Sequence, residues 1–169
     1  EPSYTEDGQI IYTCNRCGEQ KAEALEKLAY PKAGTKYTVA GCQYKVTKAG
    51  AEVSLIKANK KAKRVTIPAV IKVKGVTYKV TLIGAKAFNG NKKLTKVTIG
   101  INIKKISNNA FYKCRSLKMV TIKSVLLTKK TANKKAFKGV NKKMVIKVPK
   151  KVKKVYVKIF KGVKVNKII

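Results

Sequence analysis

Leu94-Thr-Lys-Val97-Thr-Ile99-Gly-Ile101-Asn-Ile103-Lys-Lys-Ile106-Ser-Asn-Asn-Ala110-Phe111-Tyr-Lys-Cys114-Arg-Ser-Leu117 is one unit of a pattern that the chain repeats. Val-Thr-Ile stands at Val65–Ile67, Val97–Ile99 and Val120–Ile122, and Ala-Phe at Ala87–Phe88, Ala110–Phe111 and Ala136–Phe137. Phe88 to Phe111 is 23 residues and Phe111 to Phe137 is 26; Val97 to Val120 is again 23, and a further 26 leads to Ile146. There, Ile-Lys-Val-Pro replaces Val-Thr-Ile-Pro. Two independent markers share one period, the mark of a solenoid whose units bury their apolar faces only against stacked neighbours. Val-Thr-Ile suits a strand of a stacked sheet. One phenylalanine per turn predicts an internal column at Phe88, Phe111 and Phe137; a ligand-stacking platform is the rival use of the same residues.

From Val65 to Val97 is 32 residues. The excess lies at Val73–Thr81, whose alternation predicts an inserted β-excursion. Upstream, Tyr37–Val39, Tyr44–Thr47 and Glu52–Ile56 read as short strands, with a turn at Gly41. They would shield the open end of the repeats. Downstream, Val152, Val155, Tyr156, Ile159 and Phe160 share one helix face, with Gly162 as the stop, and Val163–Val165 and Ile168–Ile169 are candidate closing strands. The helix fits an end plug better than a membrane-surface helix, since the repeats would otherwise end unsealed. The resulting division is residues 1–30, 31–61, 62–149 and 150–169.

Forty-one basic residues face 7 acidic ones, with no histidine, for a net charge of +34. All acids precede residue 53, so residues 53–169 carry the whole excess. That excludes most acid–base, triad and hard-cation chemistry from the repeats. The expectation is a non-catalytic chain with no cofactor. The basic residues are 38 lysines and 3 arginines. Arginine forks and stacking aromatics, the usual tools of specific nucleic-acid readers, are scarce. Such a field still attracts polyanions. Candidate polyanion-binding residues are Lys104, Lys105, Lys123, Lys129, Lys130, Lys134 and Lys135, and nucleic acid would be held only without sequence choice.

Thr5–Gly8 reads as a turn, Gln9–Thr13 as a strand, Cys14–Gly18 as a knuckle, and Lys21–Leu28 as a second strand or a helical turn. Cys14 and Cys17 are the candidate metal ligands, but one pair supplies half of a tetrahedral zinc site. The βαβ context of a redox dithiol is missing, so a local disulfide or two free thiols is favoured. Cys42 reads as a small buried hydrophobe, and Cys114 shares its repeat position with Asn91 and Val140. There is no secretory signal and no run of ~18 apolar residues, so no membrane span is expected. The start at Glu1 suits a segment of a longer protein.

The repeats resemble the BspA-type leucine-rich repeat, L-x-x-V-T-I-P-x-x-V-x-x-I-G-x-x-A-F-x-x-C-x-x-L, through Leu94, Val97-Thr98-Ile99, Ile103, Ile106, Ala110-Phe111, Cys114 and Leu117. Gly100 replaces the proline, and the third unit lacks Ile-Gly. The amino-terminal stretch resembles a Cys-x-x-Cys module of bacterial surface proteins through Tyr12-Thr13-Cys14 and Cys17-Gly18, with Tyr4 where that module has a cysteine. The resemblance implies a mainly β chain, α+β at its ends. Its centre would be a leucine-rich-repeat solenoid of about three coils, with a β-rich amino-terminal cap and a short carboxy-terminal capping helix. It also implies an extracellular or cell-surface interaction module, binding a protein or an anionic glycan or wall polymer.

Overall fold

The computed structural model describes residues 8–26, 28–163 and 165–169, with the side chain of Lys134 outside that set. The turn expected at Thr5–Gly8 therefore falls outside it except for Gly8. Strands β1 (Gly8–Thr13) and β2 (Gln20–Leu25) form an antiparallel hairpin. The second arm is thus extended, although its alanines and glutamates favour helix. Pairing with β1 supplies the backbone partners that an isolated helical turn lacks.

β3 (Lys36–Val39), β4 (Cys42–Lys48) and β5 (Glu52–Lys57) follow as an antiparallel meander. Ala40 and Gly41, both at positive φ (50° and 72°), make its first turn. Cys42, Tyr44 and Val46 alternate inward with Lys45 outside, the period of a half-buried strand.

β6 (Arg64–Ile67) begins a second sheet, while β7 (Val70–Val73) and β8 (Val76–Ile83) fold back as a hairpin through Lys74-Gly75. This is the excursion expected from the 32-residue spacing. β8 then runs parallel to β5 on one side and to β10 (Lys105–Ile106) on the other. The chain thereby alternates between two sheets, visiting the other one through β9 (Lys96–Ile99), β11 (Met119–Ile122) and β12 (Val145–Lys147). α1 (Lys153–Ile159) precedes the last strand, β13 (Lys167–Ile168).

The five-stranded parallel sheet has the order β13-β12-β11-β9-β6. Val65 pairs with Val97, Val97 with Val120, Val120 with Ile146 and Ile146 with Ile168. The first three of these pairs are the register that the repeat spacing implies. The inward residues of β6, β9, β11 and β12 are buried and Ile168 of β13 is partly so, as a parallel sheet covered on its inner face requires. Gly100 follows β9 where a Cβ would stand 2.7 Å from the carbonyl oxygen of Ile67. Backbone approaches backbone there, which only glycine allows.

The Ala-Phe segments are joined turn to turn by backbone hydrogen bonds. The Phe88 N–H donates to the Ala110 carbonyl (2.7 Å) and the Phe111 N–H to that of Ala136 (2.8 Å). Their rings form one column: Phe88 and Phe111 are 4.7 Å apart at 20°, and Phe111 and Phe137 5.1 Å apart at 5°. Phe160 closes it edge-on at 5.8 Å and 80°. All four rings are buried. The third unit, lacking Ile-Gly, substitutes Ala132, which bridges Ile106 in parallel, and a 3-10 turn at Lys134–Phe137. Asn133 caps that turn by accepting from the Lys135 N–H at 2.9 Å.

At the carboxy end the expected helix face is narrower than its period suggested. Tyr156, Ile159 and Phe160 are buried, but Val155 is 53 % exposed. Val152 ends a 3-10 turn and caps α1 at φ −113° and ψ 4°, so the α-helical phase starts only at Lys153. Gly162, at φ +89°, follows the helix as expected. The closing strand is Lys167–Ile168, overlapping the Ile168–Ile169 candidate, while Lys164 in the Val163–Val165 candidate lies outside the described residues. Among the described residues the chain is mainly β, with one short α-helix.

Candidate functional site

The proposed lysines do not gather at one point. Lys104 and Lys105 enter β10, next to the turn that carries Lys129 and Lys130: the Ile106 N–H donates to the Thr131 carbonyl at 2.9 Å. These four exposed lysines lie on neighbouring turns. Lys123 stands just beyond β11, its N–H on the Ile99 carbonyl at 2.9 Å. Lys135 is exposed on the 3-10 turn before Phe137.

Lys104 is partly neutralised. Its Nζ donates to Glu52 Oε1 at 2.9 Å, and Thr81 Oγ1 donates to Glu52 Oε2 at 3.0 Å. The hydrogen bond from Lys104 is the leading cause that holds the Glu52 carboxyl below the usual glutamate range; burial opposes it, and the hydrogen bond from Thr81 adds to the lowering. A depressed carboxylate contributes stability that is complete above its unfolded pKa and is lost as pH falls through its folded one. Thermal melts between neutral and acidic pH are therefore expected to show Glu52→Gln with a flatter acid limb than the parent chain. At neutral pH the variant should lose no more than about 1 kcal/mol, because the pair is exposed. Identical acid limbs would remove Glu52 from the account.

Around Phe137 the structure builds a cavity of about 560 Å³. Lys113, Arg115, Lys135, Lys138 and Lys142 stand on its lining, with Tyr112, Phe137, Val140 and Val163 between them. Among the described residues, no carboxylate or side-chain amide lines it. Its basic side chains come from successive turns held together by the Lys113 N–H, which donates to the Lys138 carbonyl at 3.0 Å. The position two residues past each column phenylalanine has positive φ in all three turns: Gly90 (65°), Lys113 (55°) and Gly139 (74°). Only the middle turn places a side chain there. Its ammonium lies 5.2 Å from the centroid of the Tyr112 ring.

Of the seven lysines singled out from the sequence, Lys135 lines this cavity. Lys113, Arg115, Lys138 and Lys142 were not singled out. Their offsets from the column phenylalanines differ, two and four residues for Lys113 and Arg115 and one for Lys138, so no repeated position marks them in the sequence.

Cys14 and Cys17 are free and exposed at the tip of the β1–β2 hairpin. The knuckle is closed by the Gly18 N–H on the Cys14 carbonyl and the Cys14 N–H on that of Glu19, both 2.8 Å. A hydrogen bond from the Cys17 thiol is the main cause lowering the Cys14 pKa. Among the described residues, no three histidine, cysteine or acidic side chains stand together. Cys42 is buried and accepts the Asn59 N–H at 3.4 Å. Cys114 donates its thiol to the Phe88 carbonyl at 3.0 Å, and burial pushes its pKa up to about 11. Asn91, one turn earlier, makes the equivalent reach to the Asn59 carbonyl at 3.2 Å. The shared position is a structural tie between turns, served by either side chain. Among the described residues, no helix is long and apolar enough to cross a membrane.

Among solved structures, a leucine-rich cell surface protein from Faecalibacterium prausnitzii is 26 % identical over 81 % of this chain and 33 % of its own, with a TM-score of 0.47. A leucine-rich repeat protein from Bacteroides ovatus is 24 % identical over 66 % of this chain and 36 % of its own (TM-score 0.47). One from Bacteroides capillosus is 20 % identical over 68 % and 98 % (TM-score 0.48). The match thus spans about a third of the first two proteins. No curated protein matches. The family model of the BspA type leucine-rich repeat region matches residues 60–169 in six copies, taking in the Val-Thr-Ile strands, the phenylalanine column and the closing strand. With most of its length inside that match, the chain belongs to the BspA-type leucine-rich repeat family.

Proposed function

We propose that the chain is a non-catalytic interaction module of a secreted or wall-associated bacterial surface protein. Its stacked turns would form a solenoid of about three coils. The hairpin of residues 1–30 and the meander of residues 31–61 would precede it, and residues 150–169 would seal its far end. The lysine-bearing exterior is the working surface, and it holds an acidic protein partner or an anionic wall polymer. One observation carries this reading: residues 53–169 contain no acidic side chain, and the Glu52 carboxylate is already held by Lys104 and Thr81. The field around the repeats is therefore of one sign, and it concentrates polyanions at the surface.

The test is retention on isolated bacterial wall and on an immobilised acidic polypeptide at rising salt. Affinity should fall by about tenfold or more between 0.05 and 0.5 M salt as the Debye length contracts. Changing Lys104, Lys105, Lys129 and Lys130 together to glutamate should weaken it further at low salt. Retention indifferent to salt overturns the proposal. An affinity for nucleic acid that depends on base sequence at physiological salt would replace it with the nucleic-acid alternative.

A further inference from the structure

We propose that the cavity beside Phe137 is a peptide-reading subsite, which takes an apolar side chain of a partner segment whose flanking residues are acidic. The inference rests on the reading of the chain as an interaction module and adds to it a place and a selectivity.

Three observations carry it. The first is shape. At about 560 Å³ the cavity falls within the range of built ligand pockets, and Phe137, Val140 and Val163 are apolar side chains on its lining. An aliphatic or aromatic side chain seated there leaves water. The second is charge. Lys113, Arg115, Lys138 and Lys142 line the same cavity without a carboxylate among them. Cationic donors and apolar side chains share one lining, so the complementary ligand joins an apolar group to carboxylates. Arg115, one of three arginines in the chain, adds the planar fork that fits a carboxylate edge. Among the described residues, this lining has no carboxylate or side-chain amide to accept from the hydroxyls of a neutral sugar.

The third observation separates a peptide from a nucleic acid. Bases bind basic grooves by stacking on open ring faces. Phe137 already has Phe111 parallel to it at 5.1 Å, and Phe160 stands edge-on at 5.8 Å. The Lys113 ammonium sits over the Tyr112 ring at 5.2 Å. Phe137 is thus buried against other rings and one face of Tyr112 is taken by an ammonium, which leaves little open ring surface on this lining for a base to stack on.

The experiment titrates the full chain with three blocked peptides, Ac-Asp-Glu-Xaa-Glu-Asp-NH2, with Xaa glycine, leucine or phenylalanine, at 0.05 and 0.5 M salt. The leucine and phenylalanine peptides should bind about tenfold more tightly than the glycine peptide, the scale set by burying one such side chain. That ratio should persist at high salt, where all three affinities fall together. Val163→Trp fills the cavity and should erase the ratio, whereas Lys129→Glu, outside it, should weaken all three peptides equally. Equal binding of the three peptides overturns the subsite and leaves the polyanion surface standing. A ratio that disappears at high salt, or survives in a folded Val163→Trp variant, also overturns it. Failure of every peptide to bind at low salt overturns the interaction reading itself along with the subsite.

Discussion

Phe111→Ala should lower the unfolding free energy by about 3–5 kcal/mol, the range for emptying a buried phenylalanine site. Phe111 is fully buried and is the only column ring with a parallel neighbour on both sides, Phe88 and Phe137. Its removal also takes two ring–ring contacts, each worth about 0.5–1.5 kcal/mol beyond burial. Collapse into the space is restricted, because the backbone at Phe111 is tied to the turns on either side through the Phe88 and Phe111 amides. Phe111→Leu should retain much of the burial and lose mainly the ring contacts. Denaturant unfolding followed by circular dichroism measures both. A Phe111→Ala loss below about 1 kcal/mol would mean that the column does not hold the turns together.

Tyr156→Ala should cost a similar amount, about 3–5 kcal/mol, for a different reason. This fully buried tyrosine reaches out of α1 and binds the loop of the third unit. Its hydroxyl donates to the Ser124 carbonyl at 2.9 Å and accepts the Leu127 N–H at 3.2 Å. Ser124 is itself buried and donates to the Ile103 carbonyl at 2.6 Å, so the tyrosine ends a chain of polar ties that crosses two turns. Burial, the leading cause, raises the Tyr156 pKa against these two hydrogen bonds. Tyr156→Phe separates the contributions. It keeps the ring but leaves the Leu127 N–H and Ser124 carbonyl without this partner, at about 1–3 kcal/mol. Near-equal stability of Tyr156→Phe and the parent would show that the end is sealed by the ring alone.

The parts of the fold legible in the sequence were those governed by a repeated contact. Val65, Val97, Val120 and Ile146 could be aligned because each strand pairs with its own counterpart, and the structure keeps that pairing without a slip. The phenylalanine column followed from the same reasoning. Legibility failed where local geometry outweighed period. Val155 has the spacing of a buried helical residue, yet a 3-10 turn delays the helix and leaves it in solvent. Lys21–Leu28 allowed a strand or a helical turn, and pairing with β1 decides for the strand over Lys21–Leu25. The cavity was the hardest feature to foresee. It arises where Gly139 and Gly162, each at positive φ, bend two loops around Phe137. No short motif in the sequence marks that meeting. The lysines were too numerous for composition to distinguish Lys135, which lines the cavity, from Lys123, which does not.

The in-register pairing of β6, β9, β11 and β12 bears on how such a chain can change length. Every strand presents the same edge to its successor, so a duplicated or excised segment running from Val97 to Met119 would rejoin like to like. Gene duplication can therefore extend the molecule as a cassette, without inventing a new interface. Gly100 limits that freedom: where a strand end presses against the preceding backbone, the copied cassette must carry its glycine with it.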